Sequence, residues 1–270
     1  MKKRLLVFLV ALLVLCLAAV GCGSKQAPAG DQQGGQNGGE EQLTMKIGAD
    51  VTFPPFEMME NGVVTGFDID LIKAIAEVEN IKIDGDIQTM DFQGLIPAIQ
   101  TNSIDVAVAG ITIREDRAKQ VDFSKPYYHS GITLLVRADS DITGVDDLVG
   151  KTIAVKLGTT GDIMFSEKEG IEIKRFNNID EAYRELVNGG ADAVPFDNPI
   201  HQHYMNTTGK GQVKVVGELL TGEDYGIAVS KDRPELLEKI NSGLDKLIEN
   251  GKYEEIYKKY FSDEYGLVNK

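Results

Sequence analysis

From Met45 onward, short β-type runs alternate with amphipathic helical ones, and that alternation restricts the chain to an α/β fold with a largely parallel sheet. Residues 45–49 open the sheet. Phe67, Leu71, Ile72, Ile75, Ala76 and Val78 then recur at helical spacing. Strands are expected at 81–87 and 104–109, with a helix at 92–100 between them. A second set follows: strands at 133–137, 152–156, 171–176, 191–196 and 213–217, and a helix at 180–187. The tail reads as a strand at 225–230, a helix at 234–250 with Pro234 in its first turn and Gly251 past its end, and an amphipathic helix at 253–261. Two α/β sets in one chain leave a cleft between them, a preferred place for a small ligand.

The amino terminus carries a different signal. Met1-Lys2-Lys3-Arg4 precedes an unbroken apolar run from Leu5 to Val20, a basic region followed by an apolar one, as in an export signal. The run is shorter than the ~18–20 residues that cross a bilayer. It ends at Ala19-Val20-Gly21-Cys22, which resembles a bacterial lipobox with Ala19 where Leu is usual. That resemblance implies cleavage before Cys22, lipidation of Cys22 and anchoring by acyl chains; a cleaved, freely secreted protein is the alternative. Residues 22–43 are rich in Gly, Gln, Ser, Ala and Pro and read as a flexible tether.

Cys16 leaves with the signal, so disulfides are excluded and an ordinary apolar core must hold the fold. Loss of Lys2, Lys3 and Arg4 with no acidic residue takes the formal charge three units below −14. So acidic a surface repels phosphate backbones and anionic lipid head groups, which excludes nucleic acid as a partner and leaves the lipid as the membrane link. The sequence holds no GxSxG, HExxH or P-loop pattern. His201 and His203 stand two apart, not at the i, i+4 spacing of a zinc site, and His129 has no partner that spacing identifies. No metal, cofactor or catalytic residue is expected.

Five segments carry a family likeness: Gly48 to Glu57 (GADVTFPPFE), Gly66 to Leu71 (GFDIDL), Gly110 to Arg117 (GITIREDR), Val121 to Ser124 (VDFS) and Tyr225 to Ala228 (YGIA). In order and spacing they resemble the bacterial extracellular solute-binding proteins for polar amino acids. The resemblance spans residues 43–263 and implies the type II periplasmic-binding-protein fold, two α/β lobes joined by two hinge crossings. It places residues 45–126 and 226–270 in lobe 1 and 131–220 in lobe 2, with hinges near 127–130 and 221–225. Met90-Asp91-Phe92, Ala107 to Thr112, Val155-Lys156 and Gly209 to Gln212 look closest to glutamine-binding proteins.

A receptor for free amino acids needs an anion clamp and a cation clamp. Thr112 with Glu115 three residues on forms a capping-box pattern, so Thr112 is expected to start a helix whose N–H groups attract the ligand carboxylate. Arg117, one turn further, would pair with the same carboxylate. Asp197 ends an apolar strand and is expected at the ammonium, with the Gly110 carbonyl beside it; a plain helix cap is its bland alternative. Ala109 falls in the same glutamine-like segment. Phe53 and Phe92 match family positions whose rings sandwich the ligand's aliphatic carbons.

Asp50, Lys156 and the Gly158-Thr159-Thr160 turn are expected to read the side chain: acceptors and donors together suit a carboxamide, and Lys156 opposes a cation. An Asp50–Lys156 ion pair across the cleft would leave that task to other groups. Phe196 stands where glutamine-binding relatives can carry His, which keeps arginine or a broader polar range open. The resemblance therefore implies a monomeric, extracytoplasmic lipoprotein that delivers L-glutamine or another polar amino acid to the membrane subunits of an ABC transporter. An enzyme of the cyclohexadienyl dehydratase type, using Asp50, Lys156 and Asp197, is the rival class. A sensor signalling through a partner protein is the third.

Overall fold

A computed structural model describes residues 42–261. The export signal, Cys22 and nearly all of the tether lie outside the described residues, as do the last nine. Among the described residues, no helix is long and apolar enough to cross a membrane.

Two five-stranded sheets organise this part of the chain. The first has the order Gln88–Thr89, Ile47–Ala49, Val106–Val108, Ala228–Val229, Asp122–Phe123. The second has the order Glu172–Phe176, Thr152–Lys156, Ala193–Asp197, Ile132–Arg137, Val213–Val216. Strands Ile47–Ala49, Val106–Val108 and Ala193–Asp197 are buried along their whole length, the mark of strands covered on both faces.

The sheets are mixed rather than largely parallel. Ala228–Val229 runs antiparallel to both of its neighbours, and so does Ile132–Arg137 in the second sheet. Each of these strands comes just after a crossing, so it enters its sheet from the side facing the other sheet. The strands ending at Ala49, Val108, Lys156 and Asp197 run toward that side instead. The crossings pair with each other: Tyr128–Ser130 and Glu223–Tyr225 form a two-stranded antiparallel ribbon, with Tyr128 opposite Tyr225 and His129 opposite Asp224. His129 Nδ1 meets Asp224 Oδ1 at 2.9 Å, the partner that sequence spacing did not reveal.

Helices Phe67–Val78, Pro234–Glu249 and Lys252–Tyr260 pack on one another beside the first sheet. Leu236, Ile240, Leu244 and Leu247 are buried at helical spacing, opposite Ile72, Ile75 and Ala76 in the same apolar core. Phe67 is ringed by Tyr253, Tyr257 and Phe261 from the carboxyl-terminal helix.

Several expected elements change. The run 81–87 gives only Lys82–Ile83, because Asp84-Gly85-Asp86 breaks it at Gly85, whose φ is +77°, before Gln88–Thr89 joins the sheet. The run 225–230 divides at Gly226 into a crossing strand and a sheet strand. A hairpin, Glu57–Glu60 with Val63–Thr65, was not foreseen. Its turn is Asn61-Gly62 with φ +51° and +79°, a sequence signal suited to a two-residue turn that needs left-handed backbone twice.

Candidate ligand site

The loops that leave the two sheets line a narrow, partly open cavity between them. Phe53, Phe92, Ala109, Gly110, Thr112 and Arg117 line it from one side, and Lys156, Thr159, Thr160, Phe196 and Asp197 from the other. The structure thus brings ten of the eleven candidate residues to one cavity, with Thr159 added. Asp50 stands behind this lining.

Arg117 lies in the short helix Glu115–Ala118 and is 5% exposed. It donates to the Thr112 carbonyl at 2.9 Å and, across the cleft, to the Gly158 carbonyl at 3.2 Å. Its guanidinium lies 5.1 Å from the centre of the Phe92 ring. Burial draws its pKa down to about 10, which leaves it a cation at neutral pH.

Thr112 does not start a helix. The helix is capped at Arg114, and Thr112 is bridged to Tyr225 while the Ile113 amide donates to the Asp224 carbonyl. The crossing strand has taken the backbone that the capping pattern would have turned into a helix. The Thr112 hydroxyl instead donates to Glu223 at 2.7 Å and accepts from Thr160 Oγ1 at 3.3 Å, so the two sheets' loops meet there.

Asp197 ends strand Ala193–Asp197 and precedes helix Asn198–Asn206, yet its side chain makes no capping bond. Its carboxylate accepts from the Tyr225 hydroxyl, whose oxygen in turn accepts from the Ser130 hydroxyl at 3.0 Å. Burial first, then the like charge of Glu223, pushes Asp197 up to about 7. An ammonium group placed against it would reverse that cost. Sequence patterns missed Glu223 and Tyr225 as partners of this site. They stand two apart on one strand and so point to the same side, but a three-residue strand is too short to show its period.

Gly110 follows the strand Val106–Val108 with φ +50°, and a Cβ there would come within 2.3 Å of Phe53 Cε1. Both facts require glycine. Phe53 packs edge-on against Phe196, ring centres 5.6 Å apart, joining the two sides of the cavity.

At the other end, Lys156 Nζ contacts Asp50 Oδ2 at 2.5 Å and donates to Thr52 Oγ1 at 2.8 Å. Both side chains of the pair are almost wholly buried. Asp50 also accepts from the Thr52 amide and hydroxyl. The Lys156 ammonium lies about 6 Å from both the Phe53 and Phe92 ring centres, 6.0 and 5.9 Å respectively. His201 takes no part: it is buried, shares a hydrogen bond with Thr133, and burial drives its pKa down to about 3.

Two mixed sheets, joined by paired crossings with a polar cavity between their strand ends, define a type II periplasmic-binding-protein fold. The chain belongs to the bacterial extracellular solute-binding proteins, family 3, whose sequence profile matches residues 45–263. It is 34% identical to a protein of Neisseria gonorrhoeae named probable histidine-binding protein, over 99% of this chain and 99% of that one. It is 32% identical to the ABC transporter glutamine-binding protein GlnH of Bacillus subtilis, over 98% of this chain and 99% of that one. Among solved structures, an ancestral arginine-binding protein bound to arginine is 44% identical with a TM-score of 0.77, covering 82% of this chain and 99% of that one. An ancestral arginine-binding protein bound to glutamine matches at 44% and 0.76, with the same coverage.

Proposed function

We propose that this protein captures a polar L-amino acid, glutamine foremost, in the cavity between its sheets and delivers it to the membrane subunits of an ABC importer. The observation that carries this is a narrow cavity lined together by Arg117, Asp197 and Lys156, with Lys156 already paired with Asp50. Arg117 receives the α-carboxylate, and Asp197 with the Gly110 carbonyl receives the α-ammonium. Phe53 and Phe92 flank the aliphatic carbons. Ala109, Thr112, Thr159 and Thr160 complete the wall, and Phe196 closes it from the second sheet.

The far end favours a neutral side chain. The Lys156 ammonium stands between the two rings, where a cationic ligand side chain would stack, and like charge opposes that. A carboxamide brings an acceptor for Lys156 and donors for nearby oxygens. Arginine is the second reading, supported by the arginine-bound structural relative and by Asp50, which would pair with a guanidinium if Lys156 moved aside. A thermal-shift screen of the twenty amino acids separates these, since a ligand that binds only the folded state raises its melting temperature. Glutamine is expected to give the largest shift; no shift with any amino acid overturns capture.

Binding without turnover fits the partners of the acids: Asp50 is held by Lys156 and Thr52, and Asp197 by Tyr225. Incubation with prephenate or arogenate is therefore expected to yield no product. The lipobox-like Ala19 to Cys22 supports anchoring at the outer face of the membrane, with residues 22–43 as tether. Cys22→Ser is expected to move the protein from the membrane fraction to the soluble one.

A further inference from the structure

Glu57 and Asp68 are two buried acids to which ligand capture assigns no task. Glu57 opens the strand Glu57–Glu60 and is 0% exposed; Asp68 sits in the first turn of the helix Phe67–Val78 and is 1% exposed. Neither lines the cavity. Asp68 Oδ2 accepts from the Gly110 amide at 3.0 Å and from the Tyr127 hydroxyl at 2.6 Å. Gly110 is part of the cavity wall, and Tyr127 immediately precedes the crossing strand Tyr128–Ser130. One carboxylate therefore holds a piece of the site and the start of the first crossing.

The other oxygens have no such partners. Among the described residues, Asp68 Oδ1 and both oxygens of Glu57 receive no donor from any other group. The two carboxyls nevertheless act on each other. Facing carboxylates in a dry interior do not both ionise, whereas one proton between them makes a charge-assisted hydrogen bond.

Of the two, Glu57 is pushed further toward its protonated form. Burial first, then the charges of Asp68 and Asp50, raise Glu57 well above the usual carboxylate range, with Lys156 opposing. Asp68, which has Tyr127 and Gly110 as donors, is raised by burial only to about 6. Among the described residues, Tyr253 also faces this cluster, through Tyr127.

We propose that Asp68 is a positioning residue of the binding site: its carboxylate, completed by a proton on Glu57, ties the Gly110 backbone to Tyr127 at the first crossing. This rests on the cavity being the ligand site. It makes the setting of the crossing and the direction of the Gly110 carbonyl, the ammonium acceptor, one mechanical unit. Gly110 has no side chain to fix its own peptide, so the fixing comes from outside the cavity.

The test begins without ligand, so that it stands even if amino acids do not bind. In the NMR spectrum of the free protein, the Gly110 amide proton is expected far downfield and slow to exchange. The Glu57 carboxyl carbon is expected at its protonated position through neutral pH. Asp68→Asn should move the Gly110 amide and weaken L-glutamine by about tenfold, the loss of a hydrogen bond to a charged acceptor. Glu57→Gln, whose amide supplies the same donor to Asp68, should stay within about twofold of the wild type.

A folded Asp68→Asn protein with an unmoved Gly110 amide and unchanged affinity overturns the proposal, as does an ionised Glu57 at neutral pH. If Asp68→Asn does not fold, Tyr127→Phe decides: about threefold weaker L-glutamine with the Gly110 amide in place supports the tie, and unchanged affinity overturns it. A wild-type protein that binds no amino acid removes the capture assignment alone, and the amide and carboxyl signals still decide this one.

Discussion

The two ends of the cavity handle charge in opposite ways. At the Arg117 end, a buried cation and a buried acid, Asp197, face the cavity with partners that do not neutralise them: Arg117 donates to two carbonyls, and Asp197 accepts from a tyrosine hydroxyl. At the Lys156 end, cation and acid neutralise each other at 2.5 Å. On the proposed reading, one end takes the zwitterion that any amino acid provides, and the other takes a side chain that brings no net charge. Affinity and selectivity are assigned to different places, and each can be broken separately.

The largest effect is expected from Arg117→Ala, which removes the buried cation and leaves a ligand carboxylate unpaired. Calorimetry should show a loss of more than about 100-fold for every amino acid bound, with no change in their order of preference. Asp197→Asn should come next, at about 30-fold, again without a change of order. The pH dependence follows from the same residue. Asp197 is raised to about 7 in the empty site, and the ligand ammonium needs it ionised, so binding below that pH must expel a proton. Affinity is then level above about 7 and falls with decreasing pH, approaching tenfold per unit; Asp197→Asn should flatten that slope.

Lys156→Met acts on the other end and should change the order. Asp50 loses its neutralising partner, so L-glutamine weakens by about tenfold while L-arginine gains. If arginine weakens as well, the neutral end is not what selects. Phe196→His is the smallest change, expected to sharpen the preference for glutamine over arginine by about threefold by adding a polar group and, when protonated, a second like charge.

Much of this was legible from the chain itself. The strands that position the site, Thr152–Lys156 and Ala193–Asp197, are apolar runs with one charged residue at the end, and a charged residue ending a buried strand has few places to go but a loop site. Legibility failed where a distant segment changed the local outcome. Thr112 with Glu115 has the spacing of a capping box, but the crossing strand Glu223–Tyr225, more than a hundred residues away, bonds that backbone first. The Asp50–Lys156 ion pair stood in the sequence only as an alternative, because whether it forms depends on how loops from two sheets meet. Glu57 was hidden by its position in a hairpin whose other residues are largely exposed, where alternation predicts a solvated face.

The division of labour between the ends is tested most directly by titrating the purified, ligand-free protein with L-glutamine and L-arginine in a calorimeter at neutral pH, for the wild type and Lys156→Met. The account predicts that the wild type binds glutamine more tightly than arginine and that Lys156→Met reverses the order. Arginine binding more tightly than glutamine in the wild type, with the order unchanged by the substitution, would contradict it.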